Sequence, residues 1–135
     1  MIGLLISVDD NQVHEIEIDE HNFLRDVRSA IGCDYIDLVR DVNIGGRRYD
    51  ILVDDEGMLK GPEPQPTARC MDYDQFLFGS IIILKGNNET GEHETLSHVD
   101  IASIQQHIFG IRNKETYQIS PMLEYTYSDS EEFIM

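Results

Sequence analysis

The chain has 135 residues, 41% apolar in the wide sense and 27% charged, the size and composition of one soluble globular domain with a short appendage. Asp and Glu number 26 against 10 Lys and Arg, a formal net charge of −16, which argues against direct DNA binding and against an anionic membrane surface, since both need a basic face. The longest apolar run, Phe76 to Leu84, is broken at Gly79-Ser80 and too short to span a bilayer, and Met1 to Val8 meets Asp9-Asp10 with no basic leader, so the chain reads as cytoplasmic.

The elements begin with a hairpin. Ile2 to Val8 is apolar and rich in β-formers, Asp9-Asp10-Asn11 has turn chemistry, and Gln12 to Ile18 alternates, with His14, Ile16 and Ile18 on one face. Asp19 to Asn22 supplies candidate caps for a first helix whose stripe is Phe23, Leu24, Val27, Ala30 and Ile31, stopped by Gly32. A second hairpin follows: Asp34 to Asp41, a turn at Asn43-Ile44-Gly45-Gly46, and Arg47 to Asp54. Strict alternation in that last strand points Tyr49, Ile51 and Val53 to the core and Arg48, Asp50, Leu52 and Asp54 outward.

Gly61-Pro62-Glu63-Pro64-Gln65-Pro66 is expected as an extended loop, because each proline removes a backbone donor. Phe76 to Lys85 is so continuously apolar that it reads as the central strand, covered on both faces. Ser97 and Asp100 form a capping box with Asp in place of Glu, with Leu96 and Ile101 as its hydrophobic staple. Ile101, Ile104 and Ile108 make the stripe of a second helix ending near Gly110. Tyr117 to Tyr127 can add a strand, and Ser128 to Met135 reads as frayed. This order predicts an α+β fold: a mostly antiparallel sheet of about five strands with two helices on it, one domain over 1–112, and an acidic, partly disordered extension over 113–135.

The chemistry is sparse. Cys33 and Cys70 stand far apart and read as buried thiols. The five histidines are scattered, and only His93 and His98 are close, beside Glu92, Glu94 and Asp100; cap chemistry explains that group better than a metal, so no metal or cofactor is expected. Acidic clusters at Asp9-Asp10, Asp54-Asp55-Glu56 and Asp129 to Glu132 lack the calcium-loop spacing. No nucleophile elbow, Walker loop or dinucleotide fingerprint occurs, and a non-enzyme is expected. Gly45-Gly46-Arg47-Arg48 is a compact basic turn, read first as a hairpin turn and second as a phosphate cradle.

Leu52 to Lys60, the proline loop with Ala68, the run Phe76 to Leu84, and Gly91-Glu92 before Leu96-Ser97 resemble, in that order, a domain family of unknown function found in phages and mobile elements of Gram-positive bacteria. The Phe23-Leu24 helix and the Ile36 strand extend the resemblance to roughly residues 3 to 108. Gln65-Pro66-Thr67 departs from the asparagine usual in that family near the loop's end, and the shared motifs are structural, so no catalytic residue carries over.

Small acidic phage proteins without catalytic motifs commonly bind host machinery. The expected function is therefore a counter-defence inhibitor, of anti-CRISPR or anti-restriction type, binding a nucleic-acid-processing protein of host defence through Asp50, Asp54, Asp55, Glu56, Glu131 and Glu132. A second expectation is a sponge for a small nucleotide signal, held by Arg47, Arg48 and Arg112 between protomers of a homodimer. The third is a structural or housekeeping phage protein.

Overall fold

In the computed structural model, which describes residues 1–59, 61, 64–87 and 89–128, the hairpin of Ile2–Ser7 (β1) and Gln12–Glu17 (β2) forms as the alternation requires. Its turn is closed by Asp10, whose Oδ1 accepts from the Gln12 amide at 3.0 Å, while Asn11 takes a left-handed φ of 56°. Phe23–Ile31 (α1) follows a single 3-10 turn capped by Asp19, which accepts from the His21 amide. Gly32, at φ 79°, ends the helix in the left-handed conformation and donates back to the Arg28 carbonyl at 2.8 Å. Ile36–Ile44 (β3) and Arg47–Asp54 (β4) turn on Gly45 and Gly46, both at positive φ, as a two-residue hairpin turn demands.

Pro66–Cys70 (β5), Gln75–Phe78 (β6), Ile81–Gly86 (β7), His93–Glu94 (β8), His98–Gln105 (α2), Ile108–Arg112 (β9) and Ile119–Tyr125 (β10) complete the chain. Two sheets result. The first runs β2-β1-β7-β4-β3 with every pair antiparallel, and β8 adds two residues against the end of β7. The second runs β6-β5-β10-β9, with one parallel pair, β5 with β10. The α+β class and the antiparallel five-strand sheet with two helices are as expected.

The first sheet is covered on both faces. Ile81 and Ile83 of β7 face the second sheet and α2, joining Tyr49, Ile51, Val53, Ala68, Cys70, Ile104 and Leu123 in one core. Ile82 and Leu84 face α1, joining Leu5, Leu52, Val27 and Ile31 in another. At ~25 cal/mol per Å² of apolar surface buried, these two cores supply most of the drive to fold.

Two expectations need correction. Phe76 to Leu84 is not one strand: Gly79, at φ 85°, turns the chain between sheets, so Gln75–Phe78 is an edge of the second sheet and only Ile81–Gly86 is central to the first. The second helix stops at Gln105. Ile108 begins β9 instead, because pairing of Ile108–Arg112 with β10 satisfies a backbone that β-formers favour over helix. Beyond residue 112, β10 pairs with β9 and contributes the buried Met122, Leu123 and Tyr125.

Candidate functional site

The acids expected on the surface of β4 are mostly inside. Asp50 is 3% exposed and Asp54 is 8%, because the face read as solvated is packed by α1 and β8. Asp50 Oδ1 accepts from the Asp41 amide at 2.9 Å, and its Oδ2 lies 3.9 Å from Arg40 Nε. His93 Nε2 is 3.0 Å from the same Oδ2 but off the line a hydrogen bond needs, so the contact is one of proximity. Asp54 Oδ1 accepts from the Glu56 amide and shapes the turn. Asp55 and Glu56 are exposed as expected, and Glu131 and Glu132 lie outside the described residues.

The arginines go to separate tasks. Arg47 Nη1 donates to Asp100 Oδ1 at 3.2 Å, and Arg48 donates to the carbonyls of Asp41 and Tyr127. Arg112, at the end of β9, lines a cleft of about 330 Å³ with Asn11, Gln65 and Gln118. His93 and His98 also separate: His93 stacks on Phe23 at 5.4 Å between centroids, and His98 is exposed on the first turn of α2. Among the described residues no group of three or more His, Cys, Asp or Glu could hold a metal ion.

Asp100 is the most heavily engaged carboxylate. It is 1% exposed and accepts from the Ser97 amide and hydroxyl through Oδ2 and from the Tyr49 hydroxyl, at 2.8 Å, through Oδ1. Burial alone would raise its pKa, but the Ser97 amide, the Tyr49 and Ser97 hydroxyls and the nearby Lys85 together hold it at about 2. The same contact, with burial first, pushes the Tyr49 hydroxyl up. This network ties the capping box of α2 to β4 and is structural in kind.

The fold gathers other acids that sequence reading left scattered. Glu17 at the end of β2, Asp19 and Glu20 before α1, and Asp26 within α1 line one open cleft of about 390 Å³ beside Met1. A neighbouring cleft of about 280 Å³ shares Met1 and Glu20 and adds Phe23, Glu92 and His93. Acids from two segments distant in sequence, 17–26 and Glu92, thus form one surface around Met1, whose ammonium pairs with Glu17 at 3.2 Å. Its ionisation is secured locally: Asn22 and the His21 amide lower the Asp19 pKa, and the Asp19 amide and Arg25 lower that of Asp26. The Asp19 amide donates to Asp26 Oδ2 at 2.9 Å, an acid seven residues on reaching back across the helix start.

Fold and surface together define an acidic two-sheet α+β domain whose exposed carboxylates converge where β2, α1 and the segment before β8 meet. A family model described as a domain of unknown function (DUF3846) matches residues 1–108, and the chain belongs to that family. No curated protein and no solved structure matches the chain. Among the described residues no helix is long and apolar enough to cross a membrane.

Proposed function

We propose that this protein is a non-enzymatic binding module, a phage or mobile-element counter-defence inhibitor that presents carboxylates to the basic nucleic-acid channel of a host defence enzyme. The observation that supports this reading is the acidic surface of Glu17, Asp19, Glu20, Asp26 and Glu92, with Phe23 lining its second cleft beside His93. Carboxylates spread along such a surface offer the charge that a guanidinium-lined channel otherwise receives from phosphates, and Phe23 adds an apolar contact. Complementary charge speeds encounter and disfavours partners that are themselves acidic.

The test is a cleavage assay with a panel of purified RNA-guided and restriction nucleases, the chain titrated in at low and high salt. Inhibition that competes with DNA and weakens as salt rises is expected, because ions screen exposed charges over about 8–10 Å at physiological strength. Failure to inhibit any enzyme of the panel, together with failure to restore phage plating on cells carrying those systems, overturns the reading.

A further inference from the structure

The four outer strands of the two sheets differ in how they treat their open backbone. β2 carries His14, Glu15 and Glu17. β3 is bent by a register shift between Val39 and Val42, with Asp41 at φ 56°. β6 is four residues long, and its pairing with β5 shifts between Pro66 and Ala68. Short length, bulges and charge are the usual devices that stop one sheet edge from adding to another.

β9 has no bulge, and its one charged residue, Arg112, stands at its end. Ile108–Arg112 pairs with β10 in unbroken register and has no proline. Phe109 is 46% exposed and Ile111 45%, on the face turned away from the core. Residues 101–114 contain no Asp or Glu, in a chain with 26 of them, while Arg112 and Lys114 lie at the strand's end.

The direction of the β9 backbone follows from its neighbours. The Glu124 amide donates to the His107 carbonyl and the Asn113 amide to the Gln118 carbonyl, so the residues whose polar groups meet β10 are the odd ones, 107, 109, 111 and 113. Ile108, Gly110 and Arg112 therefore aim their amides and carbonyls at the open edge. An antiparallel copy centred on Gly110 sets Ile108 opposite Arg112, Gly110 opposite Gly110, and Arg112 opposite Ile108, each pair exchanging both hydrogen bonds. In the same register Phe109 falls opposite Ile111 in the close, non-hydrogen-bonded pairs, so two phenylalanines and two isoleucines meet on one face.

From this we infer that β9 is a self-association edge, joining two copies of the chain about a two-fold axis into one continuous eight-stranded sheet. Self-complementary register is what a two-fold interface requires. The acid-free segment is where two chains of charge −16 approach with least repulsion. The inference is independent of the proposed function and concerns a different surface.

The test is sedimentation of the full chain from low micromolar to several hundred micromolar, with Phe109→Lys, Ile111→Lys and, as a charge-matched control on α1, Leu24→Lys. The parent and Leu24→Lys are expected to dimerise, more tightly as salt screens the net charge. Each β9 variant should weaken the dimer at least about tenfold, because one substitution enters a two-fold interface twice. Amide exchange of the parent is the second measurement, needing no variant to fold: the amides of Ile108, Gly110 and Arg112 should slow as concentration rises. A parent that stays monomeric throughout, a dimer untouched by both β9 variants, or edge amides that exchange freely in the dimer overturns the inference.

Discussion

Asp50 and Asp100 bring the same functional group to this protein as Glu17, Glu20 and Glu92, yet the first two are nearly out of solvent and the others are open to it. Each buried carboxylate faces donors or cations that replace the water it lost; Asp100 has Ser97, Tyr49 and Arg47, and Asp50 has the Asp41 amide and Arg40. The exposed acids need no such replacement: Glu20 and Glu92 keep their carboxylates in solvent, and Glu17 meets the Met1 ammonium at 3.2 Å at the surface. What separates the two sets is the surroundings of the carboxylate, since the functional group is shared.

The comparison breaks hardest if a carboxylate is placed where no donor waits. Ile82 is fully buried in β7, paired with Leu5 on one side and Leu52 on the other. Ile82→Asp should cost at least about 4 kcal/mol and abolish the cooperative melt by circular dichroism. Removing a buried acid that does have donors comes next: Asp100→Ala leaves the Ser97 amide and Tyr49 hydroxyl without their acceptor and should cost about 3 kcal/mol by denaturant unfolding.

A pH profile sharpens the same point. The Asp100 pKa of about 2 lies below the ordinary aspartate value of 3.8, so its contribution is present above the unfolded value and is lost as pH falls through the folded one. That contribution is roughly 2 kcal/mol at neutral pH. Parent stability should therefore fall between about pH 4 and pH 2, with a shallower loss in Asp100→Ala. Ser97→Ala is milder: it removes one cap acceptor and the Ser97 hydroxyl's bond to Asp100 Oδ2, and should lower stability by about 1 kcal/mol.

Local signals in the sequence were good guides where one residue decides the geometry. Gly32, the Gly45-Gly46 turn and the Ser97/Asp100 capping box sit as their chemistry predicts. Tyr49, Ile51 and Val53 point into the core as alternation requires, but alternation in β4 could not show that α1 covers the opposite face, and so Asp50 and Asp54 read as exposed. The isoleucine spacing that marks α2 extends by coincidence to Ile108, where pairing with β10 takes over. The acidic surface joins positions as distant as Glu17 and Glu92 through contacts of the folded chain, a juxtaposition that no local pattern encodes.

The most direct test of the division between acids that hold the fold and acids proposed to face a partner is nuclease inhibition by a Glu17→Lys, Glu20→Lys, Glu92→Lys triple variant. These side chains are exposed, so its stability should stay within about 1 kcal/mol of the parent. With the fold intact, inhibition should be lost and should not return as salt is lowered. Inhibition equal to the parent's, by a variant that melts like the parent, would contradict the account.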